Sequence, residues 1–198
     1  MPFKTERIHA LDLPMPELEA LEPDIKGAFN HLLREDGFVP NVLKAFSFDT
    51  EKLRPFMQMY NNVMLDDSPL STLEREMIGV VVSSINRCVY CLTTHGAAVR
   101  NLSGDPVLGE LLVQNYRAAR LSPRHRAMLD FAAKVTEESY RVTEGDREAL
   151  RKAGFDERAI WDITAVIGFF NMSNRMANAL DMVPNTEYHF QARAQPTK

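Results

Sequence analysis

Residues 71–100 read STLEREMIGVVVSSINRCVYCLTTHGAAVR. Ser71 and Glu74 stand at the spacing of a capping box, in which the serine oxygen accepts from the backbone N–H three residues on and the glutamate reaches back to the serine's own N–H. A helix is therefore expected from Ser71 to about Ile85, where Asn86 and Arg87 interrupt it. A second helix then carries Cys88 to about Arg100. The apolar run Met77–Val82 alone would suit a strand as well as a helix. No alternating, β-branched segment elsewhere competes, so the chain reads as all-α, a multi-helix bundle.

The punctuation on either side agrees. Residues 1–20 hold Pro2, Pro14 and Pro16 and are expected to be irregular. Pro23 opens a helix with the apolar stripe Ile25, Phe29, Leu32 and Leu33, ending near Gly37. Pro40 opens a short helix carrying Val42, Leu43 and Phe46. A longer one runs from about Asp49 to Met64, with Leu53, Phe56, Met57, Tyr60 and Met64 at helical spacing, and Pro55 inside it can mark its true first turn. Downstream, Asp105-Pro106 caps one helix and Ser122-Pro123 opens another whose stripe includes Met128, Leu129 and Phe131. Thr143 caps a short helix that stops at Gly154, and Asp156 opens a long one containing Ile160, Ile163, Ile167, Phe170 and Met176. The tail Gln191–Lys198 reads as disordered.

A chain of 198 residues with a 45% hydrophobic fraction can build one real core. Its net charge is −4 and no Lys/Arg run reaches the density of a nucleic-acid-binding stripe, so no nucleic-acid partner is expected. The longest apolar stretches, Met77–Val82 and Ala165–Phe170, fall far short of the ~20 residues that span a bilayer, so no membrane partner is expected either. The opening MPFKTERIHALDLP lacks the apolar centre of a signal peptide. A soluble cytoplasmic protein is the expectation. In that compartment a cysteine pair is mostly reduced at rest, and a disulfide is catalytic or redox-sensing rather than structural.

The chain has two cysteines, Cys88 and Cys91, in the pattern C-x-x-C-x-x-x-H with His95, and Glu76 lies twelve residues before the first. Each helical residue turns by about 100°, so Cys91 falls roughly 60° from Cys88 and His95 only about 20° from it. One helical face would then carry two thiols and an imidazole. At a helix start, unpaired N–H groups and the positive end of the dipole favour a thiolate, and Arg87 adds positive charge nearby. His95 can take the thiol proton directly or through a water, and a carboxylate such as Glu76 can fix the tautomer of that base. Glu76 precedes the apolar run, with Leu73 and Val80 on its face, which argues for burial; Glu74 is the better candidate for a solvated cap.

Duller readings compete. Zinc would have at most three ligands from one helical face, where convergence on a tetrahedral ion is difficult. His9, His31, His125 and His189 have no ligand spacing to one another. Covalent haem needs a histidine directly after the second cysteine, and Leu92 stands there. The remaining alternative is two buried cysteines acting as small apolar residues.

Glu76, Cys88, Cys91 and His95 together, Glu-x11-Cys-x-x-Cys-x-x-x-His, resemble the signature of alkylhydroperoxidase D-like proteins within the carboxymuconolactone decarboxylase superfamily, and most of all their peroxidase-related branch. The core match spans about Leu65 to Met182 and includes Phe170-Asn171-Met172-Ser173-Asn174-Arg175, similar to the family's last helix. Arg34-Glu35-Asp36-Gly37-Phe38-Val39-Pro40-Asn41 resembles the branch's N-terminal extension. The division this suggests is a helical extension over 1–64 packed on a core over 65–182, then a tail over 183–198. The resemblance implies an antioxidant peroxidase that reduces hydrogen peroxide or alkyl hydroperoxides with no metal or organic cofactor. Glu76 would orient His95, His95 would deprotonate Cys91, and Cys91 would take the peroxide oxygen as a sulfenic acid that Cys88 resolves to a disulfide. An unidentified dithiol reductant, a lipoyl- or thioredoxin-type protein, would reset the pair, and a homo-oligomer is expected. The peroxidase has a histidine just before the second cysteine where this chain has Tyr90, which helical geometry points away from the thiol face. Helix-terminus physics alone would make Cys88 the more acidic thiol, whereas the histidine spacing favours Cys91. A thiol–disulfide oxidoreductase acting on proteins, and a non-catalytic redox sensor, stay open as alternatives.

Overall fold

The computed structural model describes residues 7–193, and among them every regular element is helical. The α-helices are α1 (Pro23–Glu35), α2 (Asn41–Phe46), α3 (Thr50–Met64), α4 (Thr72–Ile85), α5 (Val89–Ser103), α6 (Pro106–Asn115), α7 (Pro123–Glu138), α8 (Glu144–Lys152) and α9 (Glu157–Ala179). Short 3-10 turns sit at Leu18–Ala20, Tyr116–Ala118, Ser139–Arg141 and Thr186–His189. The all-α class and the order of helices agree with the sequence. The caps explain why. Ser71 and Glu74 form both halves of the capping box, and Asp105, Ser122 and Asp156 each accept backbone N–H groups in the first turn they precede.

Helix α4 is the axis of the bundle. Met77, Ile78, Val80, Val81 and Val82 are fully buried, so the helix is apolar on every side, as a helix surrounded by others must be. It packs against α5, α6, α7 and α9. Helix α9 contributes Ile163, Val166, Ile167 and Phe170 to the same core. Helices α4 and α9 pack tightly at Gly79, where an added Cβ would lie 2.6 Å from Phe170 Cζ. Only a residue without a side chain lets the Phe170 ring seat there, and that ring in turn stands edge-on to His95, centroids 4.6 Å apart at 88°.

Two helix details differ from the sequence reading. Pro55 is not in a first turn: α3 starts at Thr50, capped by Asp49, and passes through the proline. Leu53 and Phe56 flank it and are buried, and Phe56 stacks on Phe46 at 4.5 Å, so packing holds the helix across a missing N–H. Leu33, placed in the α1 stripe, is exposed; Ile25 and Phe29 are the residues that α1 buries.

The chain ends tie together beside α1–α3. Asn185 is buried; its Oδ1 accepts from the Asn41 N–H at 2.7 Å and its Nδ2 donates to the Val39 carbonyl at 3.1 Å. The Ala10 N–H donates to Leu180 O and the Val183 N–H to Ile8 O. Arg100, buried near the end of α5, donates to Tyr188 O and Gln191 O, which clamps the last 3-10 turn onto that helix. Of the tail expected to be disordered, Gln191–Arg193 is therefore held at its first residue, and 194–198 lies outside the described residues.

Candidate active site

Helices α4 and α5 run antiparallel across a tight turn at Asn86–Cys88, in which Arg87 adopts a left-handed φ of 54°. Glu76 lies ten residues before Asn86 and His95 nine after it, so the hairpin sets them at the same height. The structure brings them together: His95 Nδ1 is 2.7 Å from Glu76 Oε2, and both side chains are buried. A carboxylate only accepts, so Nδ1 carries the hydrogen and Nε2 is left with its lone pair. Glu76 thus fixes which nitrogen of His95 can act as a base.

Cys88 does not lie within the helix but caps it, with φ −89° and ψ 99° ahead of Val89. Cys88 stands at the N-cap position, next to the positive end of the α5 dipole, without a capping hydrogen bond from its side chain. The neighbouring Cys91 thiol is the first cause that, with the Cys91 backbone, His95 and Asn174, outweighs burial and lowers the Cys88 thiol to about 7. Cys91 moves the opposite way, because its hydrogen is held by Cys88 and because it is buried beside that charge. The resting thiolate therefore sits on Cys88. Arg87, expected to supply positive charge, is exposed and is not among the groups that lower it. Exposure divides the pair differently: Cys88 is 0% exposed, while Cys91, at 4%, forms part of a cavity wall with His95.

Sequence reasoning missed the amide layer behind the thiols. Asn174 on α9 is fully buried; its Nδ2 donates to Ser83 Oγ at 2.9 Å and its Oδ1 accepts from Asn86 Nδ2 at 3.0 Å. Ser83 Oγ donates to Gly79 O at 2.6 Å. Asn174, beside both sulfurs, and Ser83, beside Cys91, favour the charged forms. Asn171, one turn earlier on α9, accepts from Asn86 at 3.1 Å. The available signal was Asn171 and Asn174, three apart on the face of α9 that carries Ile163, Ile167 and Phe170, where amides are buried only with partners.

The thiolate position has a direct readout. Ultraviolet titration of the reduced protein is expected to show one thiolate forming with a midpoint near 7, present above that pH and lost below it, with the second thiol ionising far higher. Cys88→Ser should remove the lower step, and Asn174→Leu should move it upward. A first step at the ordinary thiol value near 9 in the wild type would remove the assignment.

Two other expectations are corrected. Glu74 is not solvated: it is buried, accepts from Arg124 Nε at 2.8 Å and completes the cap. The Arg124 guanidinium itself rests on the Phe155 ring, 3.7 Å from its centroid. Tyr90 does not point away from the site. It is buried, lines the same cavity as Cys91, and its hydroxyl oxygen accepts the Val42 N–H at 2.8 Å, tying α2 to α5. Among the described residues, no group of three or more His, Cys, Asp or Glu side chains is arranged to hold a metal.

Residues 51–107 match the carboxymuconolactone decarboxylase family. The crystal structure of a peroxidase-related protein from Silicibacter sp. TM1040 is 57% identical, with a TM-score of 0.92 over 98% of this chain and 100% of that one. A second, described as an alkylhydroperoxidase AhpD core and peroxidase-related protein from Ralstonia eutropha JMP134, is 41% identical, with a TM-score of 0.91 over 96% of this chain and 99% of that one. The protein YnjA of Escherichia coli strain K12 is 30% identical over 118 residues, which are 58% of this chain and 63% of YnjA.

Proposed function

The chain belongs to the alkylhydroperoxidase D-like, peroxidase-related branch of the carboxymuconolactone decarboxylase superfamily, and we propose that it is a thiol-dependent hydroperoxidase. The observation that carries the reading is the 2.7 Å Glu76–His95 bond, which leaves His95 Nε2 free on the cavity that Cys91 also lines. The acidic thiol and the cavity-facing thiol are different residues, and the two-step chemistry uses both. Cys91 meets the peroxide. Its proton, held toward Cys88 at rest, turns to His95 as the sulfur attacks the terminal peroxide oxygen; the S–O bond forms, the O–O bond breaks, and His95 passes the proton to the departing alkoxide. The products are an alcohol and a Cys91 sulfenic acid. Cys88, the more acidic thiol of the pair and partly ionised at neutral pH, then attacks the Cys91 sulfur as its thiolate and expels hydroxide, which leaves as water on gaining a proton. In sum, one hydroperoxide and two thiols give one alcohol, one water and one disulfide.

A dithiol reductant must reset the pair, and the burial of both sulfurs favours a lipoyl-type arm over the folded surface of a thioredoxin-type protein; a reducing, cytoplasmic setting keeps the pair ready. Both cysteines are free in the structure, and no helix among the described residues is long and apolar enough to cross a membrane. Exchange with a protein disulfide is the weaker reading. Cys88 is fully buried and Cys91 nearly so, and a folded protein's disulfide has no flush surface on which to meet them. The test is stoichiometric. One equivalent of an organic hydroperoxide should yield one equivalent of alcohol, lower the intact mass by two hydrogens and leave no free thiol. Persistence of both thiols under excess peroxide would remove the catalytic reading.

A further inference from the structure

Tyr60, Tyr90 and Tyr188 all line the cavity that Cys91 and His95 share, and they come from α3, α5 and the last 3-10 turn. The chamber has a volume of about 570 Å³, and Leu32, Leu43, Phe56 and Phe169 make much of the remaining wall apolar. A phenol in such surroundings ordinarily finds a hydrogen-bond partner, because an unpaired hydroxyl held away from water is costly. Tyr90 has one, since its oxygen accepts the Val42 N–H at 2.8 Å. Tyr60 and Tyr188 have none among the described residues. Neither hydroxyl is sealed in the protein interior, so each meets open space, and the space beside Tyr60 is this chamber. Two O–H groups are thus left for whatever enters it.

The two phenols stand in different places. The Tyr60 ring lies on Phe169, centroids 5.9 Å apart. Phe169 stands edge-on to Phe170 at 5.7 Å, and Phe170 edge-on to His95 at 4.6 Å. Tyr188 packs instead edge-on against Phe38 at 5.1 Å, two residues from the exposed Asp36. The charges that each phenol senses agree with this placement. After burial, the Glu76 carboxylate behind His95 is the first group that raises Tyr60, whereas Asp36 is the first that raises Tyr188. Tyr60 is therefore the phenol on the His95 side of the chamber and Tyr188 the one toward Asp36. Both stay neutral at physiological pH, so both remain donors.

We propose that Tyr60 is a further catalytic residue of the peroxide step, donating a hydrogen bond to the oxygen that departs when Cys91 attacks. The inference rests on the hydroperoxidase reading and adds a group to it. As the O–O bond breaks, the departing oxygen keeps the electron pair and becomes an alkoxide. His95 passes it the proton that came from Cys91, while Tyr60 keeps its own hydrogen and stabilises the developing charge. Apolar walls make that bond stronger than it would be in water. The balance is unchanged: one hydroperoxide and one thiol give one alcohol and one sulfenic acid.

The test follows single-turnover oxidation of the fully reduced chain by two oxidants. One is tert-butyl hydroperoxide, which expels a strongly basic alkoxide; the other is peracetic acid, which expels acetate and needs little stabilisation. Tyr60→Phe keeps the ring against Phe169 and removes an oxygen with no partner among the described residues, so helicity should be unchanged. It is expected to slow oxidation by tert-butyl hydroperoxide about 10- to 100-fold, as for loss of one hydrogen bond to a charged group, and oxidation by peracetic acid by less than ~3-fold. Tyr188→Phe should leave both rates within ~3-fold of the wild type. A Tyr60→Phe protein that keeps its tert-butyl hydroperoxide rate overturns the proposal, as does one slowed equally with both oxidants, which is what a displaced wall would do. A leaving-group-dependent loss found in Tyr188→Phe instead also overturns it. In each of these cases the wild type still consumes peroxide and the hydroperoxidase reading stands. A wild type inert to tert-butyl hydroperoxide overturns that reading and the role of Tyr60 with it.

Discussion

Cys91→Ser is expected to abolish hydroperoxide turnover, lowering it by roughly 10³-fold or more, because it removes the thiol that lines the cavity among the described residues. Cys88→Ser should behave differently. It leaves the cavity-facing thiol and its base in place, so each chain should consume one equivalent of peroxide and then stop, with a sulfenic acid on Cys91 that a carbon nucleophile can trap. Both variants replace sulfur by a smaller polar atom among existing donors, Asn174 and Ser83, so circular dichroism should report the same helicity. The two roles can also come out reversed. A burst in Cys91→Ser and no consumption in Cys88→Ser would make the acidic, fully buried thiol the nucleophile. Peroxide would then have to pass Cys91, and the division between acidity and access argued above would be wrong.

That division shows where sequence stops being sufficient. Spacing in the chain is local information, and it was enough for the helices and for singling out the thiol pair with His95, while the family resemblance added Glu76. Ser71 with Glu74 marks α4, Asp156 marks α9, and Gly154, at a φ of 89°, marks the end of α8. The Glu76–His95 pair is legible in the same way, since a hairpin with its turn at Asn86 brings those two positions level. Errors arose where a residue answers to a distant partner. Glu74 read as solvated because Arg124 is fifty residues away, and Pro55 read as a helix start because Phe46 and the core hold α3 through it. Tyr90 was misplaced by counting helical angles from Cys88, which turned out to be the cap and not part of the helix. No spacing rule predicts the chamber, because its walls come from α1, α2, α3, α5 and α9 and exist only once those helices dock. Asn174 belongs with it: an asparagine in an apolar helix is visible, but the sulfurs it serves lie on another helix eighty-odd residues earlier.

His95→Asn is expected to cut hydroperoxide reduction by about 10²–10⁴-fold while leaving slow exchange with small disulfides measurable. Breaking an O–O bond needs a proton delivered to the departing alkoxide as well as a sulfur nucleophile, and His95 Nε2 is the relay available on the cavity. A disulfide has a better leaving group, and the Cys88 thiolate owes its acidity first to Cys91 and only later to His95, so exchange depends less on the imidazole. Glu76→Gln isolates the orienter. The glutamine fills the same volume but offers Nδ1 either an oxygen or an NH₂, so the tautomer of His95 is no longer fixed, and turnover should fall by roughly tenfold or more with the fold intact. Unchanged turnover would leave Glu76 a purely structural partner of His95. The opposite pattern in His95→Asn decides between the two closest chemistries. If that variant kept its peroxide rate and lost exchange with a protein disulfide, the proton relay would have no peroxide to serve, and a protein thiol–disulfide oxidoreductase would be the better account of the same four residues.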